Sequence, residues 1–313
     1  MFIVWRSTMN KVVITGATGA IGMALINKCI DNGIQVMVLC HKCSPRNNYI
    51  PNNKLVELCE CSLEKLSSLD VNSYSGDVFY HLAWKGTFGR ERNELYSQLD
   101  NVRFTLDAVM LAKKLGCRRF IGIGSQAEYG RTDIKLSPET FPNPENGYGA
   151  AKLSAGIMSK LLCEQLQMEY IWVRVLSVYG PYDGTDTMIT STLIKMLKGE
   201  HISLTKGEQK WDYLFSEDAA EALFRLGNSK EVGKVYVLGS GTSRPLKEYV
   251  EIMKQETGYV HEVGYGEIAY SPKQVMKLEA DISGLEKDIL FKPEISFEEG
   301  IQKTIFWVRE IIK

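Results

Sequence analysis

The 313-residue chain lacks several features that would place it outside the ordinary globular proteins. Charge of one sign is not in excess, because 37 basic and 38 acidic residues give a formal net charge of -1. This balance gives no electrostatic reason to expect nucleic acid or an anionic membrane as the main partner. No apolar run reaches the ~18 residues that a membrane-spanning helix needs. Internal repeats, low-complexity tracts and linkers are also absent, so any second domain is predicted to be closely integrated with the first.

The first eight residues lack the order of a signal peptide, because their basic residue follows the apolar stretch instead of preceding it. We therefore expect a cytoplasmic protein, with Met9 as an alternative start. The chain has seven cysteines, an odd number in a protein too long to need disulfide staples. Cysteines at positions 40, 43, 59 and 61 could in principle bind zinc, but the last two are too close for the usual knuckle. We predict free thiols and no metal site.

Short apolar runs alternate with helix-like stretches over the first half of the chain. The runs predict strands that begin at Lys11, Gln35, Leu55, Val78, Arg119 and Tyr170. The stretches between them predict helices over residues 21–32, 93–115 and 148–168. This alternation is typical of an α/β protein, and we predict a Rossmann-type doubly wound parallel sheet.

A glycine-rich turn over residues 15–22, TGATGAIG, joins the first predicted strand to the first predicted helix. Glycines at such a position let the backbone turn sharply and approach a pyrophosphate, which the N-terminus of the following helix attracts. The first gap between glycines is one residue wider than in the common G-x-G-x-x-G form, but the strand–turn–helix context is the expected one. The predicted dinucleotide contacts in this turn are Gly16, Thr18, Gly19, Ala20 and Ile21. We accordingly predict a dinucleotide-binding domain over residues 1–178 and a smaller substrate domain over 179–313, part of which returns to the first.

The end of the second predicted strand bears on the choice of dinucleotide. An NAD site usually has Asp or Glu there, which accepts a hydrogen bond from the ribose 2′-hydroxyl. This strand instead ends in Cys40, followed by His41 and Lys42, with Arg46 close behind. Cations without a carboxylate suit a 2′-phosphate, so we predict NADP and keep NAD as the alternative. The same basic residues would also fit a solvated turn.

Tyr148 and Lys152 stand four residues apart, a little over one helical turn, so their side chains leave the same face of a helix. An ammonium held near a phenol favours the phenolate and lowers the pKa of the phenol from its reference value of about 10. A tyrosine tuned in this way can give a proton to a sugar or alcohol oxygen, or take one from it. This spacing alone is common. The glycine-rich turn upstream strengthens the prediction that the pair is catalytic.

With this pair and the glycine-rich turn, the chain resembles the nucleotide-sugar branch of the extended short-chain dehydrogenase/reductase family over nearly its whole length. The similar segments are HLA at 81–83, SQAEYG at 125–130, RVLSVYGP at 174–181, GEQKWDY at 207–213 and GSGTSRPL at 239–246. The resemblance implies that Ser125 joins Tyr148 and Lys152 as the catalytic group, and that Lys152 also holds the nicotinamide ribose. It places Leu82 and Ala83 on the nicotinamide side of the site.

Departures from the family pattern concern the ligand contacts. The segment after the third strand has Ser62 where relatives often have an Asp near the adenine. Trp211 stands where relatives commonly have an Arg that helps to hold the nucleotide diphosphate, so its neutralisation would fall to Lys210, Arg244 or another cation. Ser177 replaces a frequent Asn. The predicted substrate contacts are Trp84, Gln126, Ser177, Lys210, Trp211 and Arg244.

The resemblance implies an enzyme that uses NADPH to reduce a nucleotide-linked keto sugar, at C4 of a 4-keto-6-deoxyhexose, with Tyr148 as the acid. An NAD-dependent 4-epimerase is the alternative, since it uses the same tyrosine, and a non-catalytic NADP sensor is a remote one. A 4,6-dehydratase is disfavoured, because Gln126 and Ala127 replace the acidic pair that such an enzyme places after its catalytic hydroxyl.

Relatives also imply a homodimer through a four-helix bundle. The helix predicted from residue 93 and the helix of Tyr148 would pack against their counterparts, and the apolar candidates on the second are Leu153, Ile157, Leu161 and Leu162. His81 and Arg174, at strand ends, are expected to pair within the protein instead of binding ligand.

Overall fold

The structure, a computed structural model, describes residues 9–71 and 74–313. Residues 1–8, on which the prediction about the start of the chain rests, lie outside the described residues. The strands are β1 (Lys11–Thr15), β2 (Gln35–Cys40), β3 (Val56–Glu60), β4 (Val78–His81), β5 (Arg119–Ser125), β6 (Glu169–Val175), β7 (Ser177–Tyr179), β8 (Ile202–Leu204), β9 (Lys210–Trp211), β10 (Tyr213–Phe215), β11 (Lys234–Leu238), β12 (Arg244–Pro245) and β13 (Val263–Tyr265). The helices are α1 (Ala20–Asp31), α2 (Leu95–Lys114), α3 (Gly147–Gln165), α4 (Met188–Lys198), α5 (Ser216–Asn228), α6 (Leu246–Thr257), α7 (Ser283–Ile289) and α8 (Phe297–Ile311).

The central sheet has seven strands in the order β11-β6-β5-β4-β1-β2-β3, and every neighbouring pair is parallel. Its middle strands are buried on both faces, as β5 shows at every position. Helices cover both faces of a parallel sheet, so its strands are apolar runs without the alternation of a half-exposed strand. The edge strand β3 is mostly exposed.

Two helical layers enclose this sheet. Helices α2 and α3 pack together on one face, and α1 and α5 pack together on the other. Each layer closes its own hydrophobic core against the strands. The predicted doubly wound α/β fold is confirmed. None of the helices in the described part of the chain is both long and apolar enough to cross a membrane.

A smaller core lies beyond β6. Helices α4, α6 and α8 pack around the short pairs β7–β10 and β8–β13, and their apolar side chains form a third cluster. Strand β11 belongs to the central sheet, and α5 packs against α1, so the chain returns from this part to the larger one. The boundary near residue 178 stays a prediction.

The carboxyl ends of β1 and β4 mark the point where the chain changes direction across the sheet. From β1 the chain continues to β2 on one side, whereas from β4 it continues to β5 on the other. Thr15 and His81, the last residues of these two strands, are partners in register. A crevice outside such a switch point is the usual ligand site of doubly wound sheets.

The element boundaries differ from the predictions at helix ends. Helix α2 begins at Leu95, because the preceding residues Arg90–Asn93 form a separate 3₁₀ turn. Helix α3 ends at Gln165, before the left-handed residue Gln167.

Candidate active site

The glycine-rich turn lies at the carboxyl end of β1 and packs against the segment that follows β4. Gly16 has φ +70°, and a Cβ there would lie 2.5 Å from the backbone nitrogen of Ala83. Only glycine satisfies both the backbone conformation and the close approach. Helix α1 has no acidic residue in its first turn, and its N-cap Gly19 provides no side-chain cap. No side chain of the helix therefore occupies its first backbone N–H groups, which are available to bind an anion.

A cleft opens at this switch point, and we call it the switch-point cleft. Its volume of about 540 Å³ lies within the ~300–1,000 Å³ typical of ligand sites. The predicted coenzyme residues that line it are Gly16, Thr18, Gly19, His41, Arg46, Leu82 and Ala83. The predicted residues that do not line it are Ala20, Ile21, Lys42, Tyr148 and Lys152. The glycine cradle and the uncapped helix fit a dinucleotide diphosphate.

The basic residues after β2 have different surroundings. The Arg46 guanidinium lies in the cleft and donates to the backbone carbonyl of Tyr182, in the loop after β7. The Lys42 ammonium is exposed and lies 4.0 Å from a Glu60 carboxylate oxygen. Lys42 thus lies outside the cleft lining, exposed to solvent and close to Glu60. Its position does not support the prediction that it contacts the dinucleotide. His41 and Arg46, by contrast, line the cleft.

Ser125, Tyr148 and Lys152 are brought together by two elements. Ser125 ends β5 and begins a 3₁₀ turn, Gln126–Glu128, closed by a capping box. Asn146 is the N-cap of helix α3, and its side chain accepts a hydrogen bond from the backbone N–H of Gly149 at 2.8 Å. A Cβ on Gly149 would overlap the carbonyl oxygen of Ala127, so glycine lets α3 approach the turn closely.

Lys152 lies one helical turn beyond Tyr148 and is 3% exposed. Its ammonium donates to the carbonyl oxygen of Ile123 at 2.6 Å and lies 5.8 Å from the centroid of the Tyr148 ring. The indole of Trp84 covers the ammonium at 3.8 Å and meets Tyr148 edge to face, with ring centroids 6.0 Å apart. Trp84 thus lines the switch-point cleft and contacts two predicted catalytic residues, in addition to its predicted role as a substrate contact.

The expected lowering of the Tyr148 pKa is wrong for this structure. Burial raises the pKa of the phenol, although a hydrogen bond with Ser125 and the charge of Arg92 oppose the change. Burial also lowers the pKa of Lys152 to about 7, partly offset by the carboxylate of Glu128. Withdrawal of water disfavours the charged form of each group, and here it outweighs the charges and the hydrogen bond that oppose it.

A buried ion pair supports the Ser125 turn from below. Glu128 is fully buried and accepts hydrogen bonds from the Ser125 backbone N–H at 2.8 Å and the Trp172 indole at 3.1 Å. Its other oxygen accepts from Arg174 Nε at 2.6 Å. The expected internal pairing of Arg174 is confirmed. Because each partner satisfies the other, the pair fixes the turn without leaving an unpaired buried charge.

His81 is held between two threonine hydroxyls. Thr105 Oγ1 donates to the Asn101 carbonyl at 2.9 Å, so it accepts from His81 Nε2 at 3.4 Å. Nδ1 then accepts from Thr15 Oγ1 at 2.9 Å. Burial, together with the charge of Lys152, lowers the pKa of His81 to about 3. The imidazole is therefore a neutral structural link between β1, β4 and α2, as expected.

A second cleft adjoins the first on the side of the smaller core, and we call it the adjoining cleft. Ser125, Tyr148 and the predicted substrate residues Gln126, Ser177 and Trp211 line it. The Trp211 indole donates to Ser177 Oγ at 2.7 Å, which joins β9 to β7. Lys210 and Arg244, also predicted as substrate contacts, line neither cleft.

The reason lies in the strand pair β9–β12, which places Lys210 and Arg244 at the surface. The Arg244 guanidinium lies 3.3 Å from the Glu298 carboxylate. The prediction that these two cations neutralise a bound diphosphate is therefore not supported by their positions. The sequence analysis instead missed Arg92 and Asp183, which line the adjoining cleft. Neither belongs to a recognisable motif, and only the folded chain brings them to the site.

The family model for the NAD dependent epimerase/dehydratase family matches residues 12–239. The chain belongs to this family. The family predicted from the sequence motifs is thereby confirmed, and the protein is an enzyme of the type that uses a nicotinamide dinucleotide.

Several members of the epimerase/dehydratase family are similar over nearly the full chain. CDP-abequose synthase of Salmonella muenchen is 27% identical over 301 residues, which cover 95% of this chain and 97% of that protein. The solved UDP-N-acetylglucosamine 4-epimerase of Methanobrevibacter ruminantium superposes with a TM-score of 0.87 at 24% identity, over 96% of this chain and 99% of that one. The UDP-glucuronic acid 4-epimerase of Bacillus cereus, solved with NAD, superposes with a TM-score of 0.84 at 20% identity, over 97% and 100% of the two chains.

Proposed function

We propose that this enzyme reduces the 4-keto group of a nucleotide-linked 4-keto-6-deoxyhexose with NADPH. The observation that carries the proposal is the meeting of Ser125, Tyr148 and Lys152 where the switch-point cleft adjoins the second cleft. One cleft has the glycine cradle for a dinucleotide, and the other has room for a sugar next to the phenol.

The coenzyme would be held by the chain's own features in three places. The turn at Gly16 and Gly19 and the start of α1 suit the diphosphate. Lys152, which lies beneath the Trp84 indole and outside the cleft lining, is proposed for the nicotinamide ribose. His41 and Arg46, which line the cleft, suit a 2′-phosphate. The bound coenzyme would supply the hydride.

The proton would come from Tyr148. Its hydroxyl is the acid that gives a proton to the sugar oxygen, while Ser125 donates a hydrogen bond to the same oxygen. A well-placed donor at a developing alkoxide contributes roughly 3 kcal/mol to the stabilisation of the transition state. Lys152 holds positive charge close to the phenolate that results, and its contact with the Ile123 carbonyl orients it.

Two local features favour reduction over the other reactions of the family. Gln126 and Ala127 follow the catalytic hydroxyl, so the site has no acid and base there for the elimination of water. No carboxylate follows Cys40 at the end of β2, which favours an exchanging NADP over a tightly held NAD. A coenzyme that exchanges after each turnover can supply a new hydride for net reduction. A coenzyme that stays bound would take a hydride from the sugar and give it back, as in epimerisation.

Nucleotide-sugar 4-epimerisation with NAD is the second candidate. It is supported by the similarity of this chain to solved 4-epimerases, one of them bound to NAD. The same tyrosine and lysine would serve it.

Nicotinamide absorbance and product analysis separate these functions. The purified enzyme is incubated with NADPH or NADH and a panel of CDP-, dTDP- and UDP-linked hexoses and 4-keto-6-deoxyhexoses. Net loss of the reduced coenzyme with a keto sugar supports the proposal. Exchange of the C4 epimers without net loss supports the second candidate, and no reaction with any donor favours a dinucleotide sensor.

The enzyme is also proposed to be a homodimer. The exposed apolar side chains on α2 and α3 are Leu95, Tyr96, Leu99, Met110, Ile157, Met158 and Leu161. These exposed apolar side chains on α2 and α3 could be buried against the same two helices of a second copy of the chain. Leu153 and Leu162, also predicted for this contact, are partly buried in the protomer. Sedimentation should give a dimer at micromolar concentration and a monomer for a Leu161→Lys, Ile157→Lys variant, whereas a monomeric wild type rejects the contact.

A further inference from the structure

Arg92 lies against the predicted catalytic phenol on the side of the adjoining cleft. Its guanidinium carbon is 4.7 Å from the centroid of the Tyr148 ring, close enough for a cation–π contact. Arg92 lines the cleft together with Ser125 and Tyr148, and within residues 9–71 and 74–313 it is the single basic side chain that does so. Its Nε is buried, and the described part of the chain offers it no hydrogen-bond partner.

The position of Arg92 is braced from behind. It belongs to the 3₁₀ turn Arg90–Asn93. The buried amide of Gln98 donates to the Gly86 carbonyl at 2.9 Å and to the Glu91 carbonyl at 3.1 Å. The oxygen of the same amide accepts from the Trp84 indole at 2.9 Å. One side chain thus holds the turn of Arg92 and the indole that covers Lys152.

We propose that Arg92 is a further residue of the reaction centre, whose Nε–H donates to a sugar oxygen beside the one that Tyr148 protonates and whose charge stabilises the resulting phenolate. The sugar contact rests on the proposed function, whereas the charge effect rests on the geometry alone. A buried donor without a partner is costly to the free protein, so an oxygen supplied by a ligand would relieve that cost. In the proton transfer the O–H bond of Tyr148 breaks, an O–H bond forms on the sugar, and the electron pair stays on the phenol oxygen.

Several charged groups share this environment. Those on the elements around the phenol are Arg92, Lys152, Glu128 and, in the lining of the same cleft, Asp183 and Asp186. Burial lowers the pKa of Lys152 to about 7, so its ammonium is partly lost at neutral pH. Burial raises the pKa of Asp183 to about 6. A guanidinium keeps its charge over the whole range, which makes Arg92 the constant positive charge next to Tyr148.

A titration that needs neither coenzyme nor sugar tests the charge effect. The ionised fraction of Tyr148 is measured from tyrosinate absorbance at a fixed alkaline pH at which the protein stays folded, with the Tyr148→Phe protein subtracted. Loss of a cation at this distance should raise the pKa of the phenol by about 1 or more, so Arg92→Gln should lower the ionised fraction about 10-fold. Arg92→Lys should restore much of it. Arg90→Gln is the matched control, because Arg90 in the same turn is 94% exposed and pairs with Glu94.

The kinetic test uses the productive nucleotide sugar. Arg92→Lys and Arg92→Leu should both raise KM about 10-fold, because neither side chain has an N–H group at the position of Arg92 Nε, whereas a glutamine amide would keep one there. Only Arg92→Leu, which also lacks the charge, should shift the pH profile of kcat/KM upward. An unchanged ionised fraction in Arg92→Gln overturns the charge effect, and an unchanged KM in Arg92→Leu overturns the sugar contact. A wild type that turns over no nucleotide sugar overturns the proposed function and the sugar contact with it, while the titration still decides the charge effect.

Discussion

The two clefts of this enzyme are built differently. The switch-point cleft is shaped largely by backbone: the turn at Gly16, the start of α1 and the ends of β1 and β4. The adjoining cleft is shaped by side chains that arrive from separate segments, such as Arg92, Ser177 and Trp211.

This difference explains which contacts the sequence revealed. Backbone sites depend on a conformation that few residues can adopt, so glycine spacing exposes them. Side-chain sites depend on where distant segments meet, and Lys210 shows how a residue next to Trp211 can still point elsewhere. We therefore expect the switch-point cleft, the proposed coenzyme site, to tolerate little change in shape. The adjoining cleft, the proposed sugar site, is expected to determine substrate specificity.

The largest effect should come from Tyr148, the predicted acid in the adjoining cleft. Tyr148→Phe keeps the ring but removes the proton donor, and acid catalysis is worth about 10²–10⁴-fold. We expect kcat to fall about 10³-fold while the dissociation constant of the coenzyme, measured by fluorescence, changes little. Tyr265→Phe is the control, because Tyr265 lines neither cleft and its hydroxyl donates to Glu251 at the surface. A variant that retains most of its activity would remove Tyr148 from the mechanism.

A pH series examines the buried imidazole of His81 at the carboxyl end of β4. The pKa of His81 is about 3 in the folded protein, against 6.5 for the unfolded chain. The unfolded imidazole binds a proton below pH 6.5 and the folded one does not, so stability is present above that pH and is lost as the pH falls towards 3. The full difference corresponds to roughly 5 kcal/mol.

His81→Gln should flatten this acid slope in urea unfolding measured across the same range, whatever its effect at neutral pH. His261→Gln, at an exposed position, should keep the wild-type slope. Equal slopes in all three proteins would show that His81 can accept a proton in the fold.

The glycine cradle should respond to a single methyl group. Gly16→Ala places a Cβ against Ala83 at positive φ, whereas Gly33→Ala imposes the same positive φ with no atom within 4 Å. The shared backbone strain costs about 1 kcal/mol. We expect Gly16→Ala to lose a further ~1–3 kcal/mol and to bind the coenzyme at least 10-fold more weakly. Thermal unfolding and calorimetry measure the two effects, and identical behaviour of the two variants would mean that the turn shifts freely.

The smallest effect is predicted in the adjoining cleft. Trp211→Phe keeps the aromatic packing but removes the indole donor to Ser177, which is worth about 1 kcal/mol. KM for the nucleotide sugar should rise about 5-fold, and Ser177→Ala should have a similar effect. If the hydrogen bond is responsible, the double variant should be no worse than either single one. Additive losses would assign the two residues separate contacts.

Motifs identified part of this site and the fold supplied the rest. Gly16, Ser125 and Tyr148 were found because each belongs to a short segment whose residue types serve one local geometry. Arg92 lies in the run RERN, which has no periodicity or motif, and it reaches Tyr148 only because Gln98 braces its turn.

The charge states also needed the fold. Spacing alone predicted that Lys152 would lower the pKa of Tyr148, but burial of both groups reversed the balance. Desolvation depends on everything packed around a group, and no sequence interval encodes it.

By itself the sequence determined the order of strands and helices over the first half of the chain, the glycine cradle and the helical spacing of Tyr148 and Lys152, because each depends on residues close together in the chain. The tertiary structure alone decided which cations face the clefts and which charges lose their water. Those properties arise from contacts between segments that are far apart in sequence, and they exist only after the chain has packed.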